Sequence, residues 1–320
     1  MVFIYLIAGL VLLLVGANYL VEGSVSLARR AGISSFVIGV TVVGFGTSAP
    51  ELLVSVSSAI QGHGDLSVGN IIGSGICNVL LVLGATAAIC PFYISRETLR
   101  RDIPVNVFVS VLLVALIFSG YLFGNSGMGL NRIDALILLC CLVVYMWKIF
   151  STGEVDGEKK DAENVVDDSH SVWFRVVQAL VSLAALIYGS QLLVDSASEL
   201  ALQMGISEKV VAISIVAVGT SLPELTTCII AALKGDAELA LGNALGSNVL
   251  NILFILGVSA LCRPITLVSM SAVDCGMLLL SALLAFAVSF TFGRYRFDRI
   301  EGIIFLLIYA GYMGYLAMGV

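Results

Sequence analysis

Charged residues are scarce in this sequence. Asp, Glu, Lys and Arg make up 12% of the 320 residues, whereas a soluble domain has about 25%. Hydrophobic residues make up 59%, and the mean hydropathy is +1.06. A chain with so few charges and so much apolar surface is not an ordinary soluble protein, and we predict a polytopic membrane protein.

Soft metal ligands are equally sparse, with only 2 histidines. The cysteines have no metal-ligand spacing and mostly lie in apolar segments, which favours a role as small packing residues. We therefore expect no cofactor. The N-terminus enters an apolar run without a basic region before it, so no cleavable signal peptide is predicted. The cysteines are Cys77, Cys90, Cys140, Cys141, Cys228, Cys262 and Cys275.

Long apolar runs are what the chain has in quantity. We interpret them as ten transmembrane helices of about 20 residues each, an all-α membrane protein surrounded by lipid. Five helices lie in residues 1–150 and five in 171–320, and the Asp-, Glu-, Gly- and Lys-rich segment 151–170 is predicted to be a hydrophilic linker. The predicted spans are residues 2–29, 34–61, 66–90, 103–121, 129–150, 171–203, 207–234, 237–262, 270–292 and 298–319.

The two groups of helices are internal repeats. Gly46-Thr47-Ser48-Ala49-Pro50-Glu51 recurs 173 residues later as Gly219-Thr220-Ser221-Leu222-Pro223-Glu224. The same offset relates Gly69-Asn70 to Gly242-Asn243 and Pro91 to Pro264. With five spans in each half, the second half must enter the membrane from the opposite side, so we predict inverted repeats.

Orientation follows from the basic residues. In the predicted topology, thirteen of the 16 Lys and Arg residues fall on the side of the linker. Positive charge accumulates on the cytoplasmic side of membrane proteins. We therefore predict a cell (inner) membrane protein with both termini outside and the linker in the cytoplasm. The outer side keeps Arg132, Lys209 and Arg263.

The repeated motif brings oxygen ligands together at membrane depth. Pro50 has no N–H, so the carbonyl groups of Gly46 and Thr47 are expected to lose or loosen their helical partners. Thr47 and Ser48 lie on the same helix face as Glu51. A charged side chain inside a membrane marks a functional site by default. The second copy supplies the same groups from Thr220, Ser221 and Glu224.

These oxygens suit a hard cation. Calcium takes six to eight oxygen ligands, and two bidentate glutamates with the carbonyls of Thr47 and Thr220 would supply about six. Sodium would accept the same oxygens, and the absence of His and Cys beside the glutamates argues against zinc or copper. The alternative is that each motif is a proline kink with a packed glutamate.

A polar stripe follows in the next helix of each half. Asn70, Ser74 and Asn78 are spaced by four and share one helix side, as do their repeat partners Asn243, Ser247 and Asn251. These side chains either contact ions or water or make interhelical hydrogen bonds. Gly69 with Gly73, and Gly242 with Gly246, form small-xxx-small patterns that favour close helix packing.

Two further acids have no single predicted role. Glu22 and Asp195 are repeat partners near the middle of the first and sixth spans. Each could form a salt bridge, line an access path or hold the repeats together.

The paired Gly-Thr-Ser-x-Pro-Glu motifs, each followed by Gly-Asn-x-x-Gly-Ser and a later Asn, resemble the two α-repeats of sodium/calcium exchangers in the cation/calcium antiporter superfamily. The resemblance covers nearly the whole chain and is closest to the compact prokaryotic members. It implies a site formed by helices two, three, seven and eight. It also implies an antiporter, not an enzyme, that extrudes Ca²⁺ against inward Na⁺ flow by alternating access.

The resemblance also assigns residues to the ions. It implies that Glu51, Glu224 and the backbone of Thr47 and Thr220 bind Ca²⁺. The sodium positions would be lined by Ser48, Ser74, Asn78, Ser221, Ser247 and Asn251. Neither nucleic acid nor an obligatory protein partner is expected.

Several alternatives stay open. A Ca²⁺/H⁺ exchanger is the nearest, although the Gly-Asn-Ala-x-Glu segments typical of that branch are absent. A K⁺-dependent exchanger is a second, but relatives of that kind carry Asp where this chain has Asn251, so we expect no K⁺ requirement. An intramembrane aspartyl protease would need two aspartates sharing a proton. A channel would need no counter-ion.

Overall fold

The computed structural model describes residues 2–122, 127–152, 171–205, 217–268, 270–288 and 295–318. Most of the predicted linker and the start of the predicted seventh span lie outside these residues. Within them, helices form nearly all of the structure. The helices are α1 (Val2–Ala31), α2 (Ser35–Thr47), α3 (Ala49–Gln61), α4 (Gly64–Ile89), α5 (Thr98–Gly120), α6 (Arg132–Thr152), α7 (Val172–Gln203), α8 (Ala217–Gly219), α9 (Leu222–Leu233), α10 (Ala237–Cys262), α11 (Ala272–Val288) and α12 (Arg299–Met318).

Seven helices in the described residues are long and apolar enough to cross a membrane. The pair α2 and α3 would make an eighth span, bent by 53° at its break. The apolar helices α9 and α11 are shorter, and residues 206–216 before α8 and 289–294 after α11 lie outside the described ranges. The multi-pass character is therefore confirmed, whereas ten spans in two inverted repeats stay a prediction.

The helices α4 and α10 form the centre of the protein. In each, 78% of the most apolar stretch is buried, against 33% in α1 and 22% in α12. Large apolar side chains such as Leu53, Trp147 and Leu307 are exposed, as expected where a helix faces lipid. The repeat partners α4 and α10 thus form the core that the other helices surround.

Helices α1 and α7 pack closely against each other. A Cβ atom on Gly16 would lie 2.8 Å from the backbone nitrogen of Leu186, and one on Gly189 would lie 2.7 Å from that of Leu13. Small residues allow this approach between membrane helices. Arg175 donates to Glu22 across the pair at 2.8 Å, so Glu22 forms a salt bridge between the halves.

Four short strands were not expected in an all-α protein. Strand β1 (Phe92–Tyr93) pairs with β4 (Arg296–Phe297), and β2 (Met128–Leu130) pairs with β3 (Ile265–Leu267), both antiparallel. Strands β1 and β3 follow Pro91 and Pro264, and a proline drives the residue before it into an extended conformation. Cys90 and Arg263 have φ of −133° and −145°. The repeated prolines therefore end α4 and α10 and start strands that join one half to the other.

Candidate cation site

Both copies of the proline motif interrupt a helix. Ser48 lies between α2 and α3 with φ −81° and ψ 8°, and Ser221 lies between α8 and α9 with φ −92° and ψ 4°. Each following helix has its proline in the first turn, where the missing N–H costs nothing. The break predicted from Pro50 is therefore present, and the same backbone conformation recurs in both halves.

The two glutamates lie in the first turns of the helices after these breaks. Glu51 and Glu224 are both 0% exposed. The positive end of a helix dipole favours a carboxylate there. Ser48 donates its Oγ hydrogen to Glu224 Oε1 at 3.4 Å, and the Thr220 hydroxyl lies beside the Glu51 carboxylate. Each carboxylate thus faces the motif of the other half, and both contribute to one site.

Helices α4 and α10 supply the remaining polar side chains. Ser74, Asn78, Ser247 and Asn251 are all buried. Asn251 Nδ2 donates to Ser74 Oγ at 3.2 Å, and Ser247 Oγ donates to the carbonyl oxygen of Gly44 at 3.4 Å. Both helices change to π-helical turns at their asparagines, over Asn78–Leu83 and Asn251–Leu256. Such turns are frequent at functional sites.

The outermost asparagines of the polar stripe hold the backbone of the glutamates. Asn70 Nδ2 donates to the carbonyl oxygen of Glu51 at 3.3 Å, and Asn243 Nδ2 donates to that of Glu224 at the same distance. These residues were recognised in the sequence as part of the stripe, but not as backbone supports. Their repeated spacing is the signal that marked them, and it does not reveal the partner.

Several buried polar atoms at the centre have no hydrogen-bond partner among the described residues. They are Glu51 Oε1 and Oε2, Glu224 Oε2, Ser221 Oγ, Asn251 Oδ1, and both Asn78 side-chain atoms. Burying such atoms without a partner is costly. Most are oxygens of the kind that Ca²⁺ binds. No cluster of three His, Cys, Asp or Glu residues occurs in the described part of the chain.

All of the predicted site residues lie in described segments, at the two breaks or on α3, α4, α9 and α10. Only Thr220 among them is half-buried, and the others are buried. Two hydrogen bonds connect predicted site residues of opposite halves, one between Ser48 and Glu224 and one between Ser74 and Asn251. Buried polar oxygens from both halves, in the middle of apolar helices, are typical of a membrane protein with a functional site for a cation.

The family is given by comparison with known proteins. The sodium/calcium exchanger protein family matches this chain over residues 1–150 and 174–318. The chain therefore belongs to the sodium/calcium exchanger family. The resemblance inferred from the paired motifs is confirmed, and the protein is a transporter.

Individual relatives cover nearly the full length. The putative antiporter CaxA of Alkalimonas amylolytica is 36% identical over 97% of this chain and 96% of its own. The sodium/calcium exchanger MaX1 of Methanosarcina acetivorans is 29% identical, with 97% of both chains covered. The solved structure of the sodium–calcium exchanger NCX_Mj has a TM-score of 0.80 and 31% identity, covering 98% of this chain and 97% of its own.

Proposed function

We propose that this protein exchanges Na⁺ for Ca²⁺ across the cell membrane by alternating access and extrudes calcium. The observation that carries the proposal is the pair of buried carboxylates, Glu51 and Glu224, three of whose four oxygens have no hydrogen-bond partner among the described residues. Family membership and the likeness to MaX1 and NCX_Mj support the choice of ions.

The two carboxylates give the proposed site its charge. Together they offset one Ca²⁺, and the backbone oxygens of Thr47 and Thr220 complete the ligand set. Sodium ions load in place of calcium, because both ions need the same glutamates. The sodium positions are lined by Ser48, Ser74, Asn78, Ser221, Ser247 and Asn251.

The contacts around the site support an inverted repeat. The Asn70–Glu51 bond has its counterpart in Asn243–Glu224, at the same offset in sequence. The β1–β4 sheet likewise corresponds to the β3–β2 sheet, with the halves exchanged. Two such halves around one site can expose it in turn to the two sides of the membrane.

The experiment is calcium uptake into proteoliposomes. Vesicles loaded with Na⁺ should take up Ca²⁺ when diluted into Na⁺-free buffer, and choline-loaded vesicles should not. Uptake driven only by an acidic interior would identify a Ca²⁺/H⁺ exchanger. Uptake that needs no counter-ion would identify a channel.

Transport is expected not to require potassium. Asn78 and Asn251 are neutral and buried, so the two glutamates have no charge left for K⁺ once Ca²⁺ is bound. Burying an uncompensated cation costs several kcal/mol even after relaxation. Replacing K⁺ by choline on both sides should leave Na⁺-driven flux unchanged. Flux that vanishes and returns in proportion to added K⁺ would contradict this assignment of Asn251.

The proposed topology is tested by cysteine labelling. In a variant whose native cysteines are replaced by serine, a cysteine at Gly157 should react only from the cytoplasm. A cysteine at the exposed His63 should react only from outside. Gly64 is unsuitable as the outer site because a Cβ atom there would overlap the Thr266 carbonyl oxygen. Labelling of Gly157 and His63 variants from the same side would refute both the orientation and the inversion.

A further inference from the structure

The amide of Asn243 touches both proline motifs at once. Its Nδ2 donates to the carbonyl oxygen of Glu224 at 3.3 Å and to Cys228 Sγ at 3.2 Å. Its Oδ1 accepts a hydrogen bond from Thr47 Oγ1 at 3.2 Å. The side chain is 0% exposed. Three of its four hydrogen-bonding positions are therefore used, and they connect the two halves of the protein.

The orientation of this amide follows from its neighbours. A backbone carbonyl only accepts hydrogen bonds, so the atom facing the oxygen of Glu224 must be the NH₂ group. The atom facing Thr47 is then the amide oxygen, which can only accept, and the Thr47 hydroxyl must donate. Flipping the amide would place two acceptors together behind Glu224, so one arrangement is favoured.

Among the described residues, the side chain of the repeat partner Asn70 bonds only within its own half. Its Nδ2 donates to the Glu51 carbonyl oxygen and to Ser55 Oγ at 2.9 Å, and both acceptors belong to its own half. It is half-buried, whereas Asn243 is fully buried. Both asparagines therefore donate to the backbone carbonyl of a glutamate. Of the two, Asn243 is the one that also bonds to the other half of the protein.

We propose that Asn243 is a positioning residue that holds the Thr47 segment against the Glu224 segment and so sets the spacing of the two half-sites around the ion. This inference rests on the proposed function, because it assumes that the Thr47 backbone and Glu224 bind the same cation. Asn243 does not itself bind the ion in this proposal. It acts through its hydrogen bonds to the Thr47 hydroxyl and to the backbone carbonyl of Glu224. Ser48, next to Thr47, reaches the Glu224 carboxylate, so a displaced Thr47 segment would disturb both ligands.

A double-mutant cycle tests the connection. Thr47→Val removes the hydroxyl but keeps the backbone carbonyl, and Asn243→Ala removes its acceptor. Thr47→Val should raise the Kd for Ca²⁺ roughly three- to tenfold, the range of one net hydrogen bond, with little change in maximal flux. Asn243→Ala also loses the bonds to Glu224 and Cys228 and should raise the Kd at least as much. The double variant should be no weaker than the weaker single variant, because both substitutions remove the same bond.

The matched control uses Asn70. In a variant with both Thr47→Val and Asn70→Ala, the separate fold-increases in Kd should multiply, since these two residues form no hydrogen bond with each other. Thr47→Ser keeps the hydroxyl and should bind Ca²⁺ more tightly than Thr47→Val, because its hydrogen bond to Asn243 can still form. The inference would be overturned if the fold-increase in Kd of the Thr47→Val, Asn243→Ala double variant equalled the product of the fold-increases of the two single variants.

Two measurements separate this inference from the proposed function. Equilibrium binding of radioactive calcium in detergent measures the Kd of each variant in the cycle without any transport, and vesicle uptake measures exchange. Wild-type protein that binds Ca²⁺ but does not exchange it for Na⁺ would contradict the function alone. If Asn243→Ala does not fold, the two Thr47 variants decide. Tighter Ca²⁺ binding in Thr47→Ser than in Thr47→Val supports the connection to Asn243, and equal binding in the two variants refutes it.

Discussion

Replacing either Glu51 or Glu224 with glutamine is expected to abolish Na⁺-driven calcium flux. Each carboxylate supplies half of the charge that offsets Ca²⁺, and both are fully buried. Glutamine keeps the size and one oxygen but removes that charge. An uncompensated charge in a water-poor site costs several kcal/mol, so flux should fall by roughly a hundredfold or more, since 1.4 kcal/mol is tenfold.

The control must be a buried glutamate that is not a proposed ligand of the ion. Glu301 is 3% exposed, and its Oε2 accepts a hydrogen bond from the Asp298 backbone N–H at the start of α12. Glu301→Gln keeps an amide oxygen for that bond and should retain most of the flux. Initial rates are measured in vesicles with equal amounts of inserted protein. Near-normal flux in either the Glu51 or the Glu224 variant would contradict a shared site.

The broken helices could be predicted from the sequence because their cause is local. Pro50 and Pro223 lack an N–H, and that chemistry acts on the turn immediately before them. The repeat also fixed which residues correspond, so Ser48 and Ser221 were expected to behave alike, and their backbone angles agree closely. What the sequence did not reveal is that each carboxylate faces the opposite half, which depends on the packing of distant segments.

The polar stripe illustrates the limit of such reasoning. A spacing of four places Asn243, Ser247 and Asn251 on one helix side, but it cannot distinguish an ion from another helix as the partner. The structure gives a mixed answer: Asn251 donates to Ser74, while its Oδ1 lacks a partner among the described residues. The short strands were missed for a similar reason, because β1 and β4 are far apart in sequence and each has only two residues.

Gly242→Ala is expected to disrupt the site without changing any proposed ligand. A Cβ atom on Gly242 would overlap the carbonyl oxygen of Phe36 and would lie 3.1 Å from its Cα. The obstacle is backbone, so α2 must move away from α10. The same helix carries Gly44, whose carbonyl accepts from Ser247, and ends at Thr47. The added methyl group would therefore shift one half-site relative to the other.

Overpacking is expected to lower the free energy of unfolding by about 1–3 kcal/mol. If the shifted half-site bears all of this strain, affinity for Ca²⁺ falls by up to about 150-fold. The effect is measured as the Kd for Ca²⁺ and the initial rate of Na⁺-driven uptake, at equal insertion. Gly311→Ala is the matched control, because no described atom beyond the adjacent residues and the helix's own backbone lies within 4 Å of the Cβ position of that exposed glycine in α12. Its binding and flux should equal those of the wild type. If Gly242→Ala also binds and transports normally, then α2 can move without altering the site, and the close contact with α10 does not set its geometry.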